Sequence, residues 1–279
     1  LMFQKWGHSA ALFFYSVLFY VLIPVIITRL LFKSLKAPAY RIRLRERWGF
    51  VPRRSDENLV FWVHAVSVGE SVAATPMIKA LCANNRELIV HVTCMTPTGS
   101  QRIQSTFSDQ LGKTITHSYA PYDLPDSVRR FLGRIRPDML IVMETELWPN
   151  IISLCRKKNI PVVLANGRMS EKSANGYERY AFFTRRIFQQ LSSVAAQTDV
   201  DAARFIRLGA PESCITVTGN IKFDMVIENS LRQAARHLRS RLCAKGERPI
   251  WVAASTHAGE EKIVLDAFFS ARKKIFNLL

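Results

Sequence analysis

Two glutamates and a lysine stand where α/β proteins place their reactive groups, just beyond the carboxyl ends of strands: Glu70, Glu144 and Lys222. Residues 59–66 (LVFWVHAV) are apolar and β-branched, Ser67-Val68-Gly69 turns, and Val72, Ala73, Pro76, Met77, Ala80 and Leu81 then recur on one helical face. That pattern is a strand, a tight turn and a helix start, the first half of a βαβ unit. Ligands of open α/β sheets bind at such strand ends, against helix N-termini. Glu70 there can serve as a general base, and it equally suits the helix dipole as an ordinary N-terminal acid. Glu144 and Glu146 end the apolar run DMLIVME, beside the helix start Trp148-Pro149-Asn150. An acid at such a strand end is unfavourable if buried without a partner, and the pattern also admits a capping acid with a structural neighbour. Lys222, in Asn220-Ile221-Lys222-Phe223-Asp224, can neutralise a phosphate or simply be solvated.

The elements that must position these residues alternate along the chain. Residues 87–94, 116–121, 138–144, 160–167, 193–198 and 215–219 read as further strands, with helices between them. Pro125 is placed to start one helix, and Gly209 caps another. The turn at 95–100 (MTPTGS) is short, polar and Gly-containing, so it can hold an anion. It lacks GxGxxG and GxxxxGK[ST], which argues against a dinucleotide or Walker-type site. A helix over about 175–191 interleaves Arg179, Arg185 and Arg186 with aromatic residues. That suits phosphate and acyl contacts, or a solvated basic face. The fold class expected is α/β, a Rossmann-like domain with a parallel sheet over 58–224. A helical connector at 225–247 follows, then only the start of a second Rossmann-like domain at 248–279, with PIWVAAS (249–255) as its strand.

Composition narrows the partners. Among 279 residues, 39 Lys and Arg stand against 22 Asp and Glu, a formal net charge of +17. This favours an anionic partner: nucleic acid, a phospholipid surface or an anionic substrate. The five cysteines form no CxxC pair, so neither a zinc site nor a disulfide framework is expected. Residues 1–48 read as a membrane anchor with a basic juxtamembrane segment. Residues 7–28 contain no acidic or basic residue, about enough to cross a hydrocarbon core as a helix. Arg29, Lys33, Lys36, Arg41, Arg43, Arg45 and Arg47 follow, and only Lys5 precedes. The positive-inside rule then puts the bulk of the chain in the cytoplasm, and the basic run is expected on anionic headgroups. A cleaved signal peptide is disfavoured, because no small-residue cleavage site follows the long run.

The motifs KAPAYRIRLRERWGF, HAVSVGE, TCMTPTGSQRIQ, YAPYDLPD, METELWPN, ANGRMSEKS, TVTGNIKFD and ASTHAGEE occur in that order. Together they resemble the 3-deoxy-D-manno-oct-2-ulosonic acid (Kdo) transferases, lipid A-modifying glycosyltransferases of Gram-negative bacteria. The resemblance covers nearly all of the chain. It implies a GT-B fold, an N-terminal domain receiving the lipid A precursor and a C-terminal domain receiving CMP-Kdo. It assigns Glu70 of HAVSVGE as the proton acceptor, and Glu144 of METELWPN and Lys222 of GNIKFD as transition-state stabilisers. Ala65 and Asn220 stand where many members have Ser, and neither change removes one of these groups. The family's CMP-binding motifs are expected downstream of residue 279. No metal and no cofactor besides the CMP-Kdo donor is expected. Expected partners are the tetraacylated lipid A precursor, CMP-Kdo and anionic lipids of the bacterial inner membrane at its cytoplasmic face, and not nucleic acid. The reaction implied is inverting Kdo transfer in lipopolysaccharide core biosynthesis. Alternatives are a non-catalytic lipid- or membrane-binding fragment lacking the donor site, and a nucleotide-linked oxidoreductase, which the absent glycine fingerprint disfavours.

Overall fold

The computed structural model describes residues 2–224, 229–243 and 250–272. Seven parallel strands form one sheet in the order β3-β2-β1-β4-β5-β6-β7. They are β1 (Val60–His64), β2 (Ile89–Cys94), β3 (Ile115–Tyr119), β4 (Met139–Met143), β5 (Val162–Gly167), β6 (Ser193–Ala196) and β7 (Ile215–Val217). The helices between them are α2 (Val68–Asn84), α3 (Pro97–Thr106), α4 (Pro125–Ile135), α5 (Pro149–Lys157), α6 (Glu171–Arg179), α7 (Ala181–Phe188) and α8 (Asp199–Leu208). Ahead of them runs α1 (Met2–Lys36). All seven strands expected over residues 58–224 form, and β1, β2 and β4 are apolar runs that helices cover on both faces. One core cluster joins Trp62, Phe131, Leu140 and Leu164; the other, on the opposite face, joins Val63, Val92, Ile141 and Met143. Trp62 is fully buried, its ring 4.6 Å from Phe131, and its indole N–H donates to Thr93 Oγ1 at 2.8 Å.

The chain up to residue 225 and the chain from 226 onward are separate compact units. In the second, α9 (Asn229–Leu242) and α10 (Glu260–Arg272) are helical. The expected connector helix begins in residues 225–228, outside the described residues. The expected strand at 249–255 does not form over residues 250–255. No neighbouring strand is present among the described residues of this unit to pair with it, and an unpaired strand has no ladder to stabilise it. The expected helix over 175–191 is instead two, α6 and α7, broken at Tyr180 (φ −114°, ψ 33°). Thr184 Oγ1 donates to Tyr177 O at 2.7 Å across that break.

The basic segment after α1 is also different from expectation. Arg43 donates to Ser100 Oγ (3.2 Å) and His117 O (3.0 Å). Arg47 is buried, donates to Met95 O at 3.0 Å and lies 4.2 Å over the Tyr119 ring. These two guanidiniums tie the segment to the carboxyl ends of β2 and β3 and are not available to headgroups. Gly49 ends this segment at φ 78°, and a Cβ there would meet Ser127 O of α4 at 2.2 Å. Gly49→Ala therefore adds left-handed strain to a backbone clash, and we expect a loss of about 2–4 kcal/mol in a urea melt.

Three histidines pack into the sheet, His64 and His91 fully buried and His117 half-buried. His91 bonds Thr116 and Ser118, His117 bonds Val92 O and Ser100, and His64 bonds Thr93. Burial holds His64 and His91 down to about 3 and His117 to about 4. Their folded values lie below the unfolded one, so their contribution is complete above about pH 6.5 and is lost as pH falls toward 3–4. We expect stability to drop by up to about 2 kcal/mol per histidine between pH 6.5 and 5. Asp123 opposes this in part, because burial raises its carboxyl to about 6. Thermal melts across pH 7 to 5 check the sign.

Candidate active site

In this sheet β1 and β4 are neighbours, and the chain leaves them toward opposite edges, to β2 and to β5. The crevice outside their carboxyl ends is the topological switch point, where open α/β sheets bind ligands. Glu70 follows β1 and Glu144 follows β4, so the fold brings both glutamates to this crevice.

Glu70 lies in the first turn of α2. Ser67 is the N-cap, and its Oγ accepts the Glu70 N–H at 3.2 Å. The carboxylate reaches back: Oε2 accepts the Val66 N–H at 2.8 Å and Oε1 accepts the Ser67 hydroxyl at 2.6 Å. This is a capping box, S-x-x-E, closed one residue further upstream than usual. Glu70 is only 7% exposed. Burial raises its pKa above the ordinary carboxylate range; the bonds from Ser67 and Val66 oppose this, and the charges of Glu146 and Glu144 add to the rise. A raised carboxylate is a stronger base. Each oxygen also keeps a lone pair beyond the bond it accepts. The capping role and the base role are thus compatible, and the cap fixes the carboxylate's orientation.

Glu144 has φ 54°, in the left-handed region, and its N–H donates to Ala165 O at 2.9 Å. Such a conformation costs a non-glycine residue about 1–3 kcal/mol and concentrates at functional sites. Glu146 turns away to structure: its Oε2 accepts the Trp148 indole N–H at 3.0 Å. Trp148 in turn packs edge-on against His64, centroids 4.7 Å apart. The neighbouring turn at 95–100 uses its polar groups internally. Thr96 Oγ1 accepts Gly99 N–H at 3.1 Å, and Ser100 bonds His117 at 2.8 Å. These bonds favour the structural reading of the turn over an anion site.

Lys222 arrives from the far edge of the sheet. After β7 the chain forms a short 3-10 turn, Ile221–Asp224, which packs against α2. Ile221 joins the core cluster beside Met77 and Leu81. The Lys222 side chain is exposed and has no ion-pair partner among the described residues. The turn is held by Asn166, whose Oδ1 accepts the Ile221 N–H at 3.2 Å. Asn166 is buried, sits at φ 54° in the irregular end of β5, and its Nδ2 has no partner among the described residues. Neither Asn166 nor His64 stands out in the sequence. The only available signal was a polar residue at a strand's carboxyl end.

Three comparisons bear on this arrangement. The family model described as 3-deoxy-D-manno-octulosonic-acid transferase (kdotransferase) matches residues 42–225. The 3-deoxy-D-manno-octulosonic acid transferase of Haemophilus influenzae is 40% identical over 268 residues, 96% of this chain and 61% of its own length. That of Bordetella pertussis is 35% identical over 207 residues, 74% of this chain and 46% of its own. The chain thus spans less than two thirds of these relatives. Among solved structures, the UDP-GlcNAc 2-epimerase of Neisseria meningitidis bound to UDP-GlcNAc superimposes with a TM-score of 0.55 at 15% identity, covering 78% of this chain and 63% of that one. At that identity the likeness speaks for the fold, a GT-B-like arrangement of parallel sheet and helices.

Proposed function

This chain belongs to the 3-deoxy-D-manno-octulosonic-acid (Kdo) transferase family, and on that premise we propose that it carries the acceptor half of an inverting transferase. The donor is CMP-Kdo and the acceptor is the tetraacylated lipid A precursor. The observation that carries the reading is the buried, oriented Glu70 carboxylate at the switch point, with Glu144 on the adjoining strand end.

In the proposed step an acceptor hydroxyl attacks the anomeric carbon of Kdo as its proton passes to Glu70. The bond from that carbon to the CMP phosphate oxygen breaks, and CMP leaves with the electron pair. Positive charge grows on the sugar ring, and Glu144 is suited to offset it. Negative charge grows on the leaving phosphate, and Lys222 is suited to meet it. The basic balance of +17 fits a bisphosphorylated, membrane-borne acceptor. The apolar α1 fits attachment to the inner membrane at its cytoplasmic face.

The test is transfer of Kdo from CMP-Kdo to the tetraacylated precursor, with the protein carried to the length of its relatives. The anomeric configuration of the product is read by NMR. Product of opposite configuration to the donor supports the reading. Retained configuration would remove the direct displacement, and failure to transfer under conditions where the Haemophilus relative works would remove the activity.

A further inference from the structure

α1 is long and apolar enough to cross a membrane, yet the globular unit already holds its polar side chains. The Tyr15 hydroxyl donates to Asp123 Oδ2 at 3.0 Å, Ser16 Oγ to Asn150 Oδ1 at 3.2 Å, and the Tyr20 hydroxyl to Asp126 Oδ1 at 2.5 Å. Asp123 is itself buried and accepts the N–H groups of Asn150 (3.0 Å) and Ile151 (2.8 Å) at the start of α5. In a helix crossing with residues 9–28, residues 15–20 lie about 9–17 Å in, the middle of a core about 30 Å thick. Docked as it is, the helix would bring Asp123, Asp126 and their neighbours Arg129 and Lys157 to that depth. Charges are least tolerated there. Docking and crossing therefore exclude each other.

The exposure pattern agrees. Over residues 9–36, positions 12, 16, 19, 23, 26, 30 and 34 are among the less exposed and recur every three to four residues on one face. The other face is open, with Phe13, Phe14, Val21, Phe32 and Leu35 each 63–69% exposed. Beside the docked face run two cavities of about 430 and 790 Å³, which share Ser9, Leu12, Ser153 and Lys157. Arg129 lines the first, and Arg156 and Arg186 line the second. None of these four cations is in an ion pair among the described residues. An apolar face flanked by unpaired cations matches one partner, an anionic bilayer surface.

We propose that α1 lies in the plane of the membrane rather than across it. Tyr15, Ser16 and Tyr20 latch it to the globular unit, and Arg129, Arg156, Lys157 and Arg186 meet headgroup phosphates. The latch joins α1 to Asn150, six residues beyond Glu144, so the helix sets the height of the active-site crevice above the bilayer. The proposal rests on the membrane attachment stated under the proposed function.

The test places an epitope ahead of residue 1 of the full-length protein and digests membrane vesicles of both orientations. The in-plane helix predicts that epitope and globular unit are digested from the same face. Digestion of the two from opposite faces would overturn it. A second arm sediments the purified protein with vesicles of phosphatidylglycerol and phosphatidylcholine, or of phosphatidylcholine alone. Changing Arg129, Arg156, Lys157 and Arg186 together to Gln should weaken binding to the anionic vesicles at least tenfold, with the melting temperature as a control for folding. Unchanged binding overturns the headgroup contact. A protein that pairs with a second copy in solution and ignores vesicles overturns the attachment itself, and with it this inference.

Discussion

Glu70→Gln is expected to lower Kdo transfer by about 10²–10⁴-fold, the usual contribution of a general base, while leaving folding nearly untouched. Glutamine keeps an oxygen for the Val66 N–H, and its amide can donate to Ser67 Oγ where the carboxylate accepted. The capping box therefore survives in a neutral form. Glu70→Ala deletes both bonds and is expected to cost about 1 kcal/mol of stability as well. Comparing the two separates base from cap, since a residue that only caps would leave Gln as active as Glu. The pH profile offers a second reading. Burial and the neighbouring glutamates hold the Glu70 carboxyl above the ordinary range. The acid limb of kcat/KM should therefore lie above that of a free glutamate and vanish in the Gln variant. A Gln variant within threefold of the parent would remove Glu70 from the mechanism.

Lys222→Ala is expected to reduce kcat by about 10²–10³-fold, the loss typical of one preorganised charge-stabilising donor, with a much smaller change in KM for the acceptor. The side chain is exposed and unpaired among the described residues, so removing it leaves no orphaned partner in the fold. Ile221 and Asn166 hold the turn without it. Lys222→Arg keeps the charge and should recover part of the rate. A loss confined to KM would instead make Lys222 a binding residue, and an unchanged kcat/KM would remove it altogether. Both substitutions need the donor side present, because the chain spans 61% of its Haemophilus relative and 46% of its Bordetella relative.

Much of this was open to reading before any coordinates. The seven strands declare themselves because a strand covered on both faces must be apolar almost throughout, and the runs at 59–66, 87–94 and 138–144 are. The turn Ser67-Val68-Gly69 followed by apolar positions on one helical face declares a helix start with Glu70 in its first turn. The break at Tyr180 was not legible, since a helix over 175–191 is equally consistent with the side-chain pattern. The basic run from Arg41 to Arg47 misled in part. Charge alone does not distinguish a guanidinium facing phosphate from one folded over Tyr119.

What the sequence determined by itself is local: the α/β class, the strand ends carrying Glu70, Glu144 and Lys222, the apolar length of α1, and through its motifs the family. Each depends on residues within a few positions of one another, where periodicity and capping act. What only the tertiary structure decided depends on residues far apart in the chain. Parallel pairing of β1 with β4 opens one crevice at their carboxyl ends and brings to it Glu70 and Glu144, 74 residues apart. Asn166, 55 residues before the Ile221 it holds, seats the turn that bears Lys222. Asp123, 108 residues beyond Tyr15, accepts that tyrosine's hydroxyl and so fastens α1 to the globular unit. In the last two cases a buried polar group must find its partner, and in all three the contact exists only once the whole sheet has closed.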